Sequence, residues 1–134
     1  MGTQKAVTSL DQALEAHSIW KSKLLAAVET GEVLDAVKIK RDDCCELGTW
    51  IYSEGKRLYG HKPEFTTLVE KHKDFHHVTS IVAGIVNAKN TETSIAMIGR
   101  NSQFSAASME VGMAIILLKK AVAAESSESV EIPR

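Results

Sequence analysis

The chain has 134 residues, of which 44% are hydrophobic and 25% are charged, so it fits one globular domain and is not a disordered chain. Its formal net charge of −1 at pH 7 gives no electrostatic footprint for nucleic acid or for an anionic membrane surface. The longest apolar run, residues 111–118, ends at Lys119 and is far shorter than the roughly 20 residues of a membrane span. We therefore expect neither a nucleic-acid partner nor a membrane segment.

The first predicted helix covers residues 9–30, because a capping-box pattern opens a run of apolar residues at helical spacing. Gly31 supplies a left-handed stop. His17 lies on the inward face of this helix. Residues 1–8 are predicted to form a flexible leader, and a short extra helical turn is expected around residues 33–37.

The second main helix is predicted to run from the pair Asp43 and Glu46, which have capping-box spacing, to about Gly55. Cys44 and Cys45 then lie in its first turn, where unpaired N–H groups and the helix dipole favour a thiolate. Neighbouring cysteines rarely reach disulfide geometry, and the N-terminus lacks the layout of a secretory signal. We therefore expect reduced thiols and a cytoplasmic location.

The third predicted helix opens at Pro63, a residue that suits the first helical position, and ends before Asn90. Because His72 and His76 are four residues apart, their imidazoles point to the same side of the helix, one turn apart. Two imidazoles in this arrangement make half of a transition-metal site. The predicted inward positions are Leu68, His72, Phe75, His76, Thr79, Val82, Ala83 and Val86.

The fourth predicted helix is capped by Asn90 and Thr91 and runs to residue 124, before a serine-rich segment, residues 125–134, that is predicted to be a flexible tail. It carries two overlapping apolar stripes, which indicates burial either inside the bundle or against a second copy. We therefore expect a homodimer. One stripe is Met97, Phe104, Val111, Ile115, Leu118 and Val122, and the other is Ile95, Ile98, Met109, Met113 and Ile116.

These elements predict an all-α fold, an antiparallel four-helix bundle over residues 9–124 with the short extra turn between the first two main helices. A metal site would take His17, one of the two cysteines, and the His72 and His76 pair. Imidazole nitrogen and thiolate sulfur are the donors that zinc prefers, and four of them complete a tetrahedron. Helix geometry alone does not choose between the cysteines.

Three motifs follow one another in the chain: His17 with Trp20, then Cys45-Glu46-Leu47-Gly48-Thr49-Trp50, then His72-Lys73-Asp74-Phe75-His76. In this order they resemble the chemoreceptor zinc-binding (CZB) domain of bacterial signalling proteins. The resemblance implies one Zn2+ held by His17, Cys45, His72 and His76, and it selects Cys45 over Cys44. Such modules are usually attached to chemoreceptors or diguanylate cyclases, whereas here we expect a stand-alone domain.

The resulting expectation is a zinc-binding regulatory domain without enzymatic activity, because four protein ligands leave zinc no open position for water. The resemblance implies that it senses zinc or oxidants such as hypochlorous acid through the zinc-bound thiolate, in a chemotaxis or diguanylate cyclase pathway. One alternative is a structural or adaptor bundle with permanent zinc. Another is a hemerythrin-like di-iron oxygen-binding protein, which the scarcity of acids on the inward stripes disfavours.

Overall fold

The computed structural model describes residues 2–131, with side chains described for residues 4–125. Within these residues the regular secondary structure is helical, with no β-strand. The prediction of an all-α helical bundle is confirmed. The helices are α1 (Gly2–Ser18), α2 (Trp20–Thr30), α3 (Ala36–Lys40), α4 (Glu46–Trp50), a π-helical segment π1 (Ile51–Gly55), α5 (Lys56–Tyr59), α6 (Pro63–Asn87), α7 (Thr91–Ile98) and α8 (Gln103–Glu131).

Helix α6 is the central element of the bundle. It packs most extensively against α8, which packs in turn against α1, and the short helices α3 and α7 also contact α6. Pro63 occupies the start of α6, as predicted. All eight predicted inward positions of this helix are buried, because the three-and-four spacing of apolar residues keeps them on one face. The prediction of this face is confirmed.

The N-terminal region differs from its prediction. Helix α1 begins at Gly2, so residues 2–8 belong to the bundle rather than to a leader, while Met1 lies outside the described residues. Ala6 is buried because it extends the inward stripe one turn before Leu10. A break at Ile19 separates α1 from α2, and Gly31 ends α2 in the left-handed conformation, with φ 77°, as predicted.

The two remaining predicted helices are interrupted in the structure. The second begins with Cys45 at its N-cap instead of Asp43, and it continues through α4, π1 and α5 to Tyr59. The short turn before it is α3, capped by the Asp35 carboxylate, which accepts a hydrogen bond from the Lys38 N–H. No helix in the described part of the chain is long and apolar enough to cross a membrane.

The fourth predicted helix is divided into α7 and α8 by residues 99–102, where Asn101 has φ 73°. Asn90 caps α7 as predicted, because its side-chain oxygen accepts from the Thr93 N–H at 3.2 Å. Helix α8 continues to Glu131, beyond the predicted end at residue 124, and residues 132–134 lie outside the described residues. The first apolar stripe is buried or partly buried, whereas Ile95, Met109 and Met113 of the second are exposed.

Candidate metal centre

The central pair of the site comes from α6. His72 is completely buried and His76 is 4% exposed, and their Nε2 atoms lie 3.1 Å apart. The His76 Nδ1–H donates to the backbone carbonyl of Ile39 on α3 at 2.7 Å. Since a carbonyl oxygen can only accept, the Nε2 atom of His76 keeps its lone pair and faces His72. The ring of His76 is therefore oriented as a metal ligand, with α3 supplying the orienting group.

His17 reaches the same point from α1. Its Nδ1–H donates to the Ala13 carbonyl one turn earlier, at 2.8 Å, so that its Nε2 also keeps its lone pair. This Nε2 is buried and, among the described residues, has no hydrogen-bond partner. The ring of His17 lies edge-on to the ring of His72, with centroids 5.1 Å apart. A buried nitrogen with a free lone pair is costly unless a cation or a donor meets it.

Cys45 completes the group from the loop before α4. Its Sγ lies 3.2 Å from the His72 Nε2 and 3.6 Å from the His76 Nε2. As the N-cap of α4 it also accepts a hydrogen bond from the Gly48 N–H at 3.3 Å. A cysteine at a helix N-cap is thus aimed at the histidines by the same contact that starts the helix.

Gly48 is required by a close backbone approach. A Cβ on this residue would lie 1.8 Å from the backbone oxygen of Asp42, so the loop can pack against α4 only where there is no side chain. The Tyr52 hydroxyl closes the same loop by donating to the Asp42 carboxylate. This hydrogen bond, with burial as a smaller contribution, raises the pKa of Tyr52 to about 12.

Burial determines the protonation of the four residues. It lowers the pKa of His72 to about 2 and holds the pKa values of His17 and His76 below their ordinary value. The histidines are therefore neutral at pH 7. Burial also raises the pKa of the Cys45 thiol, although the Gly48 N–H opposes that rise. The sequence analysis predicts that the helix start favours the thiolate, but the loss of hydration on burial outweighs the effect of the N–H groups on the thiol pKa.

His17, Cys45, His72 and His76 together form what we call the donor cluster. Their ligand atoms all lie within 4.8 Å of one another. Zinc bonds of about 2.0–2.1 Å to nitrogen and 2.3 Å to sulfur imply tetrahedral edges of about 3.3–3.6 Å. The three separations among Cys45, His72 and His76 are 3.1, 3.2 and 3.6 Å, close to that range. The donor cluster therefore suits a zinc ion.

The structure brings together all four residues that the sequence analysis selected for the site. Cys44 is not among them, because it is exposed and its Sγ lies against the Asp43 carboxylate at 3.6 Å. The sequence analysis missed the Ile39 carbonyl and the hydrogen bond between Tyr52 and Asp42. A backbone acceptor carries no residue-type signal, and the Tyr52 contact depends on how the loop folds back onto π1.

Comparison with protein families gives one match that includes the whole donor cluster. The family model described as the chemoreceptor zinc-binding domain matches residues 17–83, which is half of the chain. The matched segment begins at His17 and ends at Ala83 on the buried face of α6. Comparison with curated proteins and with solved structures gave no match.

Proposed function

Because the chain belongs to the chemoreceptor zinc-binding domain family, we propose that it is a regulatory module whose donor cluster holds one Zn2+. The observation that carries this proposal is the convergence of one sulfur and three imidazole nitrogens within 4.8 Å. Three neutral histidines and one thiolate would leave a net charge of +1, which lowers the cost of burying the ion. Four protein donors fill a tetrahedral site, so we propose no catalytic activity.

Zinc would regulate by joining parts of the chain that are otherwise separate. The donor cluster connects α1, the loop before α4, and α6. The bound ion would supply the positive charge that keeps Cys45 as a thiolate and ties these elements together. Because the free energy of metal binding becomes free energy of folding, binding or loss of zinc would change the stability of this part of the bundle.

Cys45 is the residue through which an oxidant would act. It is half-buried, whereas the three histidines of the donor cluster are 5% exposed or less. Attack by its thiolate on hypochlorous acid yields a sulfenic acid and chloride, so that sulfur loses two electrons and chlorine gains them. A sulfenic acid is a poor zinc ligand, since only the thiolate binds strongly. Oxidation would therefore release the loop before α4.

The output of the module would be a change in a protein contact. Domains of this family generally sit in signalling proteins, and we propose a chemoreceptor or diguanylate cyclase pathway in a bacterial cytoplasm, where Cys45 stays reduced.

We also propose a homodimer. Met109, Met113 and Leu117 lie at four-residue spacing on α8 and are 74%, 56% and 45% exposed. A monomer at micromolar concentration by light scattering would contradict the dimer.

A permanently bound structural zinc in an adaptor is the second candidate, and the burial of all three histidines favours it. A hemerythrin-like di-iron centre fits less well, because the donor cluster includes a thiol and no carboxylate. The three candidates differ in metal content and in the lability of that metal, which makes them separable by one series of measurements.

The deciding experiment measures the metal content of protein purified without a metal-affinity tag and then titrates it with hypochlorous acid. We expect one zinc per chain, its release on oxidation, and loss of both zinc and response in Cys45→Ala. Cys44→Ala is the matched control and should retain both, because Cys44 lies outside the donor cluster. Zinc that survives oxidation would support the adaptor, and two irons per chain would overturn the zinc site.

A further inference from the structure

A small cavity of about 140 Å³ lies between α1 and α4 and extends to the donor cluster. Its inner end is formed by His17 and Cys45. Gln12, Ala13 and Ala16 line it from α1, at the three- and four-residue spacing that places them on one helix face. The space exists because two of these three side chains end at Cβ.

The other surroundings of the donor cluster are closed. His72 is completely buried, and His76 is covered by α3, whose Ile39 carbonyl accepts its Nδ1–H. Ala13 is also buried, whereas Ala16 and Gln12 are exposed and stand at the outer end of the cavity. A molecule from solvent therefore has a path to the Cys45 sulfur that runs past Ala16.

The size and charge of the cavity restrict what can use this path. A cavity of about 150 Å³ can hold a benzene molecule, so a volume of about 140 Å³ accepts a molecule of up to roughly six non-hydrogen atoms. Apart from the two members of the donor cluster, Glu46 is the ionisable residue in its lining. Glu46 is exposed, so its carboxylate lies at the outer opening of the cavity, where it disfavours the approach of anions at low ionic strength.

We propose that this cavity is the entry route to Cys45 and that it selects small, uncharged electrophiles, such as hypochlorous acid and hydrogen peroxide, over anionic or bulky oxidants. Ala16 is the residue whose size determines whether the route is open. The inference deepens the proposed function, because it concerns the reactivity of the thiol on which that function depends.

The test measures alkylation of Cys45 in a Cys44→Ser background, so that the chain has one thiol. The reagents are iodoacetamide and iodoacetate, which have nearly the same size but differ by one negative charge. In each reaction the sulfur forms a bond to carbon and iodide leaves. Rates are followed by mass spectrometry on zinc-loaded and on zinc-free protein, with helicity checked by circular dichroism. Free N-acetylcysteine amide gives the reference ratio for a thiol with no carboxylate beside it, because the Cys44 sulfur lies against the Asp43 carboxylate.

We expect the preference for iodoacetamide over iodoacetate to exceed the reference ratio by about two- to threefold at low ionic strength, because the exposed carboxylate of Glu46 repels the anion. Glu46→Gln should reduce that excess. Ala16→Leu should slow alkylation of Cys45 by about tenfold, since the larger side chain can fill the outer end of a void of this size. Gln12→Ala should accelerate alkylation by widening the same opening.

Ala106→Leu is the matched control, because Ala106 is exposed on α8 and is not part of the cavity lining. Equal rates in Ala16→Leu, Gln12→Ala and the parent would overturn the proposal and would indicate that Cys45 reacts after the loop opens. If the zinc-free protein follows the expected pattern but zinc is never released by oxidants, the entry route stands and the sensing function fails.

Discussion

The donor cluster has two halves that differ in what holds them. His72 and His76 lie on α6, a helix of 25 residues with ten buried positions. Cys45 lies at the N-cap of α4, a helix of five residues of which two are buried, and the preceding residues 41–44 are mostly exposed. Packing therefore positions the histidine pair, whereas the cysteine depends on a few local hydrogen bonds.

This difference indicates which ligand leaves first. Moving the histidine pair would require repacking of the core around Phe75, which is completely buried. Moving Cys45 requires the loss of its contact with the Gly48 N–H and of the hydrogen bond between Tyr52 and Asp42. Contacts of that kind contribute about 0.5–1.5 kcal/mol each, far less than a packed helix face. Cys45, the residue that we propose to react with oxidants, is thus on the less stable half.

Zinc removal should have the largest effect on stability, and it should affect the two halves of the donor cluster differently. With free zinc 1,000-fold above its dissociation constant, chelation should lower the free energy of unfolding by about 4 kcal/mol. Amide hydrogen exchange should accelerate mainly in residues 41–55, because α6 keeps its buried face without the ion. Equal acceleration in residues 65–86 would contradict the division into a stable and a labile half.

Two glycine substitutions form the next comparison. Gly48→Ala should cost about 2–3 kcal/mol and reduce zinc affinity, because the new Cβ would collide with the Asp42 carbonyl and displace Cys45. Gly84 on α6 is different, because a Cβ added there would meet no neighbouring atom within 4 Å. Gly84→Ala should therefore stabilise the protein by about 0.5–1 kcal/mol. Urea unfolding and chelator competition measure both quantities. Unchanged zinc affinity in the Gly48→Ala protein would show that the loop can adjust.

The pH dependence of the zinc-free protein should reflect the three histidines of the donor cluster. The lowered pKa values of His17, His72 and His76 mean that the unfolded state binds more protons than the native state. Stability should therefore be complete above about pH 6.5 and decrease as pH falls, by at most about 1.4 kcal/mol per pH unit for each histidine. Urea unfolding between pH 7.5 and 5 measures this slope.

Substitutions in the two halves should affect that slope differently. His72→Leu should reduce it, because one titrating group is removed. Cys45→Ser should leave it unchanged, because the pKa of the Cys45 thiol is raised and the thiol does not titrate in this range. A slope that is the same in the His72→Leu protein as in the parent would mean that His72 is accessible to protons in the native state.

Loss of the hydrogen bond between Tyr52 and Asp42 should have the smallest effect. Tyr52→Phe removes a contact that is exposed and worth about 0.5 kcal/mol, so zinc should dissociate about twofold faster. Ser53→Ala is the control, because its hydroxyl bonds to the Thr49 carbonyl within the same helical segment and does not contact the loop. Stopped-flow transfer of zinc to a chromophoric chelator measures both rates, and equal rates would remove Tyr52 from the set of residues that hold Cys45.

Features that arise within single helices could be predicted from the amino-acid sequence. The spacing of His72 and His76 placed both on the buried side of α6, and Gly31 marked the end of α2. These predictions are correct because the direction of a side chain repeats every 3.6 residues and a left-handed stop requires a particular residue type. The sequence analysis did not locate the break at Ile19, which has no strong local signal. It also missed the interruption before α8, although Gly99 ends α7 and the Ser102 hydroxyl caps α8 by accepting from the Ser105 N–H.

How the separate helices meet became evident only in the folded chain. The ordered motifs predict that His17 and Cys45 join the α6 pair, but only the folded chain places the Ile39 carbonyl behind His76 and leaves a cavity beside Ala16. Folding also makes Cys45 the N-cap of α4, whereas helix periodicity could not choose between two adjacent cysteines. Distances between helices depend on contacts among residues far apart in the chain, so spacing along one helix cannot predict them.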